Sequence, residues 1–416
     1  MIPAYIVAIG DELLYGQTLN TNAHSLSKML TDVGFKVIKH ISIADERQVI
    51  LDSFEEMAKV AKVVLITGGL GPTKDDITKK TFAEYFKVGM RRDEDVLKHI
   101  ENLFSSRGRM MTDMNKSQAD VPTNCQVIHN EYGTAPAMWF EKDGCIFVSM
   151  PGVPYETENI MQKEVIPRLI EFFKPPFIIH KKIQTIGVPE SILAQTIEGW
   201  ENKLPAHVRL AYLPHLGKVT LRLTSEGDDK QKIEEELDNQ IKKVVPLIEK
   251  YVYGFDDETI EGKVADLLKE KNLTLSVAES CTGGYAARTF TQHEGASAFF
   301  EGGVIAYSND VKMKVLGVTL DTIVKYGAVS EQTALEMAEG VRKTLGTKIG
   351  IATTGVAGTG GGTPEKPVGT VWIAYSDENE TVSKTYQLTK NRNLNIQLTT
   401  NAVLNLLRKK LIEKTF

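Results

Sequence analysis

The sequence predicts an α/β protein in which two three-layer α/β domains are joined by a small α+β module. Before residue 175 and after residue 256, short apolar segments alternate with longer ones whose apolar residues recur every three or four positions. Between these limits the order is strand, helix, two strands and a strongly charged helix. The predicted domains are therefore residues 1–174, 175–256 and 257–416.

Composition limits the class of protein. The chain has 416 residues, 42% of them hydrophobic and 25% charged, as in ordinary globular proteins. Its net charge of −5 gives no basic field for nucleic acid, so no direct nucleic-acid partner is expected. The scattered Cys125, Cys145 and Cys281 argue against a disulfide framework or a structural zinc site. Without a signal peptide or a membrane-length apolar run, the sequence predicts a cytoplasmic protein.

The first domain alternates strands and helices. Its predicted strands span residues 5–9, 35–43, 63–67 and 145–150, and its predicted helices 23–33, 77–86 and 155–173, with one more capped by Asp45. Gly34 is suited to end the first of these helices. Such βαβ alternation predicts a parallel sheet with helices on both faces and ligands at the carboxyl ends of its strands.

The other two segments are read in the same way. The middle module has predicted strands at 180–186, 207–212 and 218–225 and helices at 191–200 and 229–250. The third domain has predicted strands ending at Ser280 and spanning 303–308, 348–354 and 369–375. It also has a predicted turn or helix from Asn309, a helix capped by Ser330 and a helix over 393–410. The middle module shows no catalytic cluster, and its charge run is interpreted as a solvated helix face.

Residues 273–284, LTLSVAESCTGG, form the most informative segment of the chain. A buried strand ends beside Glu279, Ser280 and Cys281, and two glycines follow. A hydroxyl next to free backbone N–H groups suits acyl transfer, in which a nucleophile attacks beside donors that stabilise an oxyanion. A Ser/Thr-rich N-cap is the alternative interpretation.

A serine nucleophile needs a base. His293 is the only histidine beyond residue 257, and its polar surroundings support a Ser-His-Asp triad poorly. Lys312 is favoured instead, provided that burial lowers its pKa, although most lysines lie on solvated surfaces. Cys281 is a rival nucleophile or a buried packing residue, but its backbone N–H is also well placed for an oxyanion hole.

A glycine-rich loop follows another predicted strand. Residues 355–362 contain five glycines, whose N–H groups can cradle a phosphate, and Arg392 could add a fixed positive charge. Such loops are often simple connections. Opposite a serine nucleophile, however, this one indicates an amide or ester substrate that also carries phosphate.

Several motifs of the third domain then point to a family. The stretches AESCTGG, YSNDVK, GAVS and TGVAGTGGGTPEKPVGTVW resemble the nicotinamide-nucleotide amidase domain of the CinA (competence/damage-inducible protein A) family. This resemblance implies deamidation of nicotinamide mononucleotide to nicotinate mononucleotide and ammonia, without a cofactor. It implies Ser280 as nucleophile, Lys312 as base, and Tyr307 and Thr354 at the site. The substrate-binding positions would be Cys281, Thr282, Gly283, Gly355, Gly358, Gly360, Gly361 and Arg392.

The sequence departs from the family pattern near Arg392. Thr359 stands where many relatives have proline, and KNRN replaces a more usual Gly-Asp-Arg. A second arginine expected a few residues later is missing from residues 395–397.

The first domain carries a second candidate site. GGLGPTKDD follows a strand and opens a helix, as a phosphate-binding turn does, but it is neither a Walker loop nor a dinucleotide fingerprint. Its aspartates suit a magnesium-type cation, or else stabilise a helix N-terminus. The candidate residues are Gly68, Gly69, Gly71, Pro72, Thr73, Asp75 and Asp76 in this turn, with Gly10, Asp11, Glu12 and Gly152 at other strand ends. Asn20 and Asn22 could hold sugar hydroxyls or shape a turn.

GDELLYGQTLNTN, TGGLGPTKDD and PGVP resemble the molybdopterin-binding-like domain of the same family. The resemblance implies hydrolysis of ADP-ribose to AMP and ribose 5-phosphate with a divalent cation and potassium. The candidate metal ligands are Asp75, Asp76 and Asp11, and Asp76 is also a candidate to bind the attacking water. It also implies a homodimer. Two alternatives remain: a pterin-binding or adenylyl-transfer module at this site, and a non-catalytic partner in DNA uptake or repair.

Overall fold

The computed structural model describes residues 1–73 and 76–414. The chain divides into two compact units, residues 1–179 with 225–234 and residues 180–224 with 235–416. No helix within the described ranges is long and apolar enough to cross a membrane.

The first unit alternates strands and helices as predicted, but its helix Glu94–Ser106 was not among the predicted elements. Its strands are β1 Ile2–Ile9, β2 Phe35–Ile43, β3 Val63–Thr67, β4 Met90–Arg92, β5 Asp120–Pro122, β6 Gln126–Ile128, β7 Ala137–Lys142 and β8 Cys145–Met150. Its helices are α1 Asp11–Leu14, α2 Thr21–Asp32, α3 Arg47–Ala58, α4 Thr78–Tyr85, α5 Glu94–Ser106, α6 Asp113–Lys116, α7 Pro154–Ile160 and α8 Ile166–Phe173.

Six of these strands form one sheet in the order β2-β1-β3-β8-β7-β6. β1, β2, β3 and β8 run parallel, which confirms the predicted parallel sheet for these four strands. β7 and β6 add an antiparallel extension that the sequence analysis missed. With three residues, β6 is too short to show a period of two.

Both faces of this sheet are covered. Along β1 the side chains alternate, so that Val7 packs in one cluster with Phe54 of α3, and Ile6 in another with Leu26 of α2. The predicted cap of α3 is wrong, because the N-cap residue is Glu46 and not Asp45. The prediction for Gly34 holds, since this residue follows the end of α2 with φ of 91°.

The middle segment forms a four-stranded sheet in the order β10-β11-β9-β12. Its elements are β9 Phe177–Ile186, α9 Glu190–Glu201, β10 Val208–His215, β11 Lys218–Gly227, α10 Lys230–Ile248 and β12 Val252–Phe255. The predicted strand-helix-strand-strand-helix order is confirmed. The four-residue β12, antiparallel to β9, was not predicted.

The segment after residue 257 is a second α/β layer structure. Its strands are β13 Leu275–Glu279, β14 Phe300–Ile305, β15 Ile349–Gly355, β16 Thr370–Ser376 and β17 Thr381–Gln387. Its helices are α11 Ile260–Glu270, α12 Tyr285–Thr291, α13 Asn309–Leu316, α14 Leu320–Tyr326, α15 Glu331–Leu345 and α16 Arg392–Glu413. The sheet order is β14-β13-β15-β16-β17.

The strand β13 lies between β14 and β15 in this sheet and runs parallel to both. Its side chains also alternate: Val277 packs with Leu407 of α16, and Ala278 with Met337 of α15. The three-layer arrangement predicted for this segment is confirmed. It places the carboxyl end of β13, and therefore Ser280, between two parallel neighbours at one edge of the sheet.

Candidate active sites

Ser280 follows the last residue of β13. Its backbone N–H donates to the carbonyl oxygen of Thr353 on β15 at 2.9 Å, which continues the sheet pairing up to this residue. Gly283 and Gly284 then have φ of 60° and 99°, the left-handed region that favours glycine. The strand therefore ends in a sharp turn immediately after the Ser280 hydroxyl.

Lys312 reaches Ser280 from the helix α13. Ser308 caps this helix, and Lys312 lies one turn further with a side chain that is only 1% exposed. Its Nζ lies 3.0 Å from Ser280 Oγ, 2.7 Å from the carbonyl oxygen of Ala306 and 3.3 Å from that of Tyr307. The two residues that the sequence analysis paired as nucleophile and base are thus in hydrogen-bonding contact.

The surroundings of Lys312 make its amine easier to deprotonate than that of a solvated lysine. Burial lowers the pKa of Lys312, and the Cys281 sulfur acts in the opposite direction. Within the described ranges no carboxylate forms an ion pair with Lys312. A neutral amine has two N–H groups and one lone pair. The carbonyls of Ala306 and Tyr307 can accept the two N–H groups, which leaves the lone pair for the Ser280 hydroxyl.

The rival nucleophile is disfavoured by its environment. Burial raises the pKa of the Cys281 thiol to about 12, and the charge of Glu279 acts in the same direction. The thiolate is the reactive form of cysteine, so this sulfur is held in its unreactive state at neutral pH. His293 lies in the polar segment after α12, outside the residues that line the Ser280 cavity.

A cavity of about 340 Å³ opens at Ser280. The predicted residues that line it are Ser280, Cys281, Tyr307, Lys312, Thr354, Gly355, Gly358, Gly360, Gly361 and Arg392. Thr282 and Gly283 are not among the lining residues: Gly283 is exposed, and Thr282 is buried with its hydroxyl 2.7 Å from that of Thr353. The structure thus brings nearly the whole predicted set together.

The glycine-rich loop and Arg392 meet closely. A Cβ atom on Gly358 would lie 2.8 Å from Arg392 Cβ and 2.9 Å from its Nε, so only glycine allows this approach. Arg392 begins α16, is exposed, and has no ion-pair partner in the part of the chain that the structure describes. It is therefore a free cation beside a loop of backbone N–H groups.

Asn395 occupies a position where the family pattern led us to expect arginine nearby. Its side chain is fully buried, and its Nδ2 donates to the carbonyl oxygens of Ala357 and Thr389, both at 2.8 Å. Asn395 therefore ties the glycine-rich loop to the start of α16. An amide side chain can both donate and accept hydrogen bonds, so Asn395 could have been predicted to link two segments, but it was not.

Glu279 is a second residue whose part in the site was missed. It is the last residue of β13 and is 1% exposed. Its carboxylate accepts hydrogen bonds from the backbone N–H groups of Gly284, Ala286 and Ala287. In the described ranges, the N–H groups of Cys281, Thr282 and Gly283 donate to no protein acceptor.

The first unit has a larger cavity, of about 580 Å³, at the carboxyl ends of β1, β3 and β8. The predicted residues that line it are Gly10, Glu12, Asn20, Asn22, Gly68, Gly69, Gly71, Pro72, Asp76 and Gly152. Gly68 and Gly69 have φ of 100° and 62°, and a Cβ atom on either would lie 2.1 Å from a neighbouring oxygen. The turn after β3 therefore requires glycine at both positions.

Asp76 shapes this turn. Its Oδ1 accepts from the Gly71 N–H at 2.8 Å, and its Oδ2 accepts from the Thr73 N–H at 2.9 Å and from the Thr73 hydroxyl. Asp75 lies outside the described residues, and Asp11 lies in α1 and outside the cavity lining. Within the described ranges, no three His, Cys, Asp or Glu side chains are placed to hold a metal ion. The predicted metal site, which includes Asp75, stays a prediction.

The two predicted asparagines, Asn20 and Asn22, differ in whether their side-chain oxygens have a hydrogen-bond partner. Asn20 caps α2 through its Oδ1 and donates from Nδ2 to Ser42 Oγ, so its side chain shapes the turn. Asn22 donates from Nδ2 to the Gly152 carbonyl, but its buried Oδ1 has no partner among the described residues. Gln118 Oε1, which the sequence analysis missed, is likewise buried without a partner and lines the cavity. Both oxygens remain available to a ligand.

Asp45, predicted only as a helix cap, also lines this cavity. Burial raises its pKa to about 6, and the neighbouring charges of Asp11, Glu12 and Asp76 act in the same direction, while a backbone hydrogen bond from Asp11 opposes them. The cavity therefore gathers acceptor groups from the ends of several strands.

Comparison with known proteins bears on both sites. Family models match residues 257–411 ("CinA C-terminal domain"), residues 5–171 ("Probable molybdopterin binding domain") and residues 180–254 ("Damage-inducible protein CinA KH domain"). A CinA-like protein of Cytophaga hutchinsonii is 48% identical over 412 residues, which cover 99% of this chain and 99% of that protein. The chain belongs to the CinA-like family.

Two further proteins are similar to this chain. A CinA-like protein of Flavobacterium psychrophilum is 43% identical and also covers 99% of both chains. A solved structure of a CinA superfamily protein from Klebsiella pneumoniae is 31% identical, with a TM-score of 0.36, and covers 37% of this chain and 97% of that one. The Ser280 cavity lies in the segment matched by the CinA C-terminal model, and the larger cavity in the segment matched by the molybdopterin-binding model.

The segment that matches the CinA KH model lacks one feature of nucleic-acid-binding KH modules. Those modules clamp the nucleic-acid backbone with a Gly-x-x-Gly loop. The glycines between residues 180 and 254 are Gly187, Gly199, Gly217, Gly227 and Gly254, and no two of them are three positions apart. This CinA-like chain therefore does not carry that loop in its KH-matched segment.

Proposed function

We propose that the C-terminal segment is a nicotinamide-nucleotide amidase that converts nicotinamide mononucleotide to nicotinate mononucleotide and ammonia. The observation that carries the proposal is the 3.0 Å contact between Ser280 Oγ and the Nζ of a buried Lys312 without a carboxylate partner in the described ranges. A serine beside a neutral amine is suited to attack an amide.

In the first half of the reaction, Lys312 Nζ takes the proton of the Ser280 hydroxyl as Oγ bonds to the carboxamide carbon. The carbonyl electron pair moves to oxygen and forms a tetrahedral oxyanion. When the pair returns, the C–N bond breaks, and the Lys312 ammonium gives its proton to the departing amide nitrogen, which leaves as ammonia. The nicotinoyl group remains as an ester on Ser280.

In the second half, a water molecule gives a proton to Lys312 and attacks the ester carbon. Collapse of the second tetrahedral species breaks the bond to Ser280 Oγ, which recovers its proton from Lys312. The second hydrogen of the water stays on the new carboxyl group, which releases it to solvent, so that nicotinate mononucleotide leaves as the carboxylate. The enzyme returns to its starting protonation state, and no cofactor takes part.

The opposite wall of the cavity supports a substrate that carries phosphate. Arg392 is a cation without an ion-pair partner in the described ranges, and Gly358 brings the loop backbone against it. Asn395 holds the loop and the start of α16 together through Ala357. A phosphate bound there would leave the pyridine carboxamide free to reach Ser280.

The test is ammonia release from nicotinamide mononucleotide by the purified protein. Wild type should release ammonia, and Ser280→Ala should release none while keeping the wild-type melting temperature. Ser297→Ala, which changes an exposed serine after α12, is the matched control and should be fully active. Failure of a well-folded wild type to release ammonia would refute the amidase proposal.

A second activity is proposed for the first unit, hydrolysis of ADP-ribose to AMP and ribose 5-phosphate. The supporting observation is a cavity that joins a glycine turn to two buried oxygens without protein partners in the described ranges, Asn22 Oδ1 and Gln118 Oε1. Backbone N–H groups suit a diphosphate, and the free oxygens suit hydroxyl or amino donors. The divalent cation and potassium are part of the proposal, and no reaction step is assigned to either ion.

Phosphorus NMR of ADP-ribose with magnesium and potassium present would show the two monophosphates. Gln118→Met should weaken ADP-ribose binding at least tenfold, because the buried oxygen is lost without a change in size. Gln126→Met, at an exposed position on β6, is the control and should bind normally. Tight binding of a pterin without hydrolysis of ADP-ribose would favour the pterin-binding alternative.

A further inference from the structure

The strand β13 ends in a buried acid, Glu279, next to the proposed nucleophile. The Glu279 carboxylate is 1% exposed. Its Oε2 accepts from the N–H groups of Gly284 at 2.9 Å and Ala286 at 3.1 Å, and its Oε1 accepts from that of Ala287 at 2.7 Å. A buried carboxylate is stable only when such donors replace its water, and three backbone N–H groups supply that replacement.

These contacts fix one side of the turn that carries Ser280, and β15 fixes the other. The Ser280 N–H donates to the Thr353 carbonyl at 2.9 Å, and the hydroxyls of Thr282 and Thr353 lie 2.7 Å apart. Between these anchors, Gly283 and Gly284 take the left-handed conformation. The backbone from Ser280 to Gly284 is therefore held by the Thr353 carbonyl at one end and by the Glu279 carboxylate at the other, and neither residue lines the cavity.

The turn also keeps backbone donors free. In the described part of the chain, the N–H groups of Cys281, Thr282 and Gly283 have no protein acceptor, and Cys281 lines the cavity beside Ser280. The Glu279 carboxylate instead accepts hydrogen bonds from N–H groups further along the chain, those of Gly284, Ala286 and Ala287. This division leaves the Cys281 N–H open to a substrate oxygen.

On the basis of the amidase function proposed above, we propose that Glu279 is a positioning residue for the oxyanion hole. Its carboxylate holds the turn so that the Cys281 N–H meets the oxygen of the tetrahedral intermediate formed on Ser280. Glu279 does not touch the substrate, and it acts through the backbone that it binds.

The arrangement requires a carboxylate and not merely a polar side chain. Both carboxylate oxygens accept hydrogen bonds, whereas the glutamine amide offers one accepting oxygen and an NH₂ group that would face a backbone donor. Glu279→Gln keeps the size of the side chain but loses at least one of the three contacts. Glu279→Asp keeps the charge, but its side chain is one methylene shorter and cannot span all three donors.

The first experiment compares the kinetics of ammonia release. Glu279→Gln should lower kcat about 100-fold, the usual effect of losing one oxyanion donor. KM for nicotinamide mononucleotide should stay within about threefold, because Glu279 lies outside the substrate cavity. Glu301→Gln, an exposed position on the neighbouring strand β14, should leave both constants unchanged.

The second experiment separates positioning from a loss of structure. Pyridine-3-boronic acid should form a tetrahedral adduct with Ser280 Oγ, in which one boron-bound oxygen occupies the oxyanion position. Glu279→Gln should weaken this adduct at least tenfold, while the binding of nicotinate mononucleotide stays the same. The proposal would be overturned if Glu279→Gln weakened the binding of pyridine-3-boronic acid and of nicotinate mononucleotide equally, or if it changed neither.

If Glu279→Gln fails to fold, Thr353→Val tests the same turn from β15. It removes the hydroxyl that contacts Thr282 without a change in size, and it should lower kcat more than it raises KM. A wild-type kcat in either folded variant would refute the role of the turn while leaving the amidase standing. A wild type that neither releases ammonia nor binds the boronic acid would instead refute the amidase itself.

Discussion

At the scale of single residues, the ionisation of Lys312 controls the proposed chemistry. A general base must be unprotonated, so kcat for ammonia release should rise with pH up to the pKa of Lys312, which burial holds below the ordinary 10.5. Lys312→Ala should abolish turnover. Lys314→Ala, two residues further along α13 and 76% exposed, should keep both the rate and its pH dependence. Near-normal turnover in Lys312→Ala would show that this amine is not the base.

The same pKa shift affects stability, and its sign can be worked out. Between the lowered pKa of folded Lys312 and the ordinary 10.5, the unfolded chain binds more protons than the folded one. The free energy of unfolding contributed by this group therefore rises with pH across that interval. Urea denaturation at several pH values should show this rise in wild type and not in Lys312→Met.

The sequence predicted functional residues correctly where a reactive side chain lies at or shortly after the end of a predicted strand. Ser280 and Lys312 were found in this way, and they are in contact. Glu279 and Asn395 were not assigned because they act through backbone groups that become neighbours only after folding. Asp45 was interpreted as a cap from its position before α3, whereas it lies in the cavity of the first unit.

At the scale of elements, the loop after β15 should be sensitive to one added methyl group. Gly358→Ala would place a Cβ atom 2.8 Å from Arg392 Cβ and 2.9 Å from its Nε, so loop and arginine must separate. KM for nicotinamide mononucleotide should rise at least tenfold, with a smaller change in kcat. Gly199→Ala, on the exposed face of α9 where nothing lies within 4 Å, is the control. It should leave KM unchanged and stabilise the protein by about 0.5–1 kcal/mol.

The elements that the sequence predicted well are long or strongly periodic. β13 and α15 were found because buried apolar residues recur with the period of a strand or a helix. β6 and β12 were missed because three or four residues cannot display a period. β17 was missed because it is an edge strand with polar, partly exposed residues, and its pairing with β16 decides its conformation.

At the scale of the whole molecule, acid should weaken the second unit through Asp377. Burial alone would raise the pKa of Asp377, but hydrogen bonds from Lys414, from the N–H groups of Glu380 and Asn379, and from Tyr375 lower it to about 2. The unfolded chain has the ordinary 3.8, so the carboxylate contributes about 2 kcal/mol at neutral pH. That contribution is lost as pH falls from about 4 through 2.

Thermal denaturation between pH 2 and 7 tests this prediction. Asp377→Asn should melt below wild type at neutral pH and approach it near pH 2. Glu378→Gln, the exposed neighbour, should follow the wild-type curve throughout. A constant difference between Asp377→Asn and wild type over the whole range would contradict the ionic explanation.

The two proposed activities should be separable, because Ser280 and Asp76 belong to different compact units. Ser280→Ala should abolish ammonia release and leave ADP-ribose hydrolysis unchanged. Asp76→Asn, which loses acceptor contacts to Gly71 and Thr73, should have the reverse effect. The loss of both activities in one folded variant would contradict independent sites.

The lowered pKa of the Lys312 amine has a consequence for chemical labelling. Solvated lysines are protonated near neutral pH and react slowly with aldehydes, whereas an uncharged amine condenses readily to an imine. Pyridoxal phosphate joins an aldehyde to a pyridine ring and a phosphate, the groups that the walls around Lys312 and Arg392 should accept. Brief treatment followed by borohydride should therefore tag Lys312 ahead of the other lysines, and peptide mapping would locate the tag. Nicotinate mononucleotide, occupying the same cavity, should protect it.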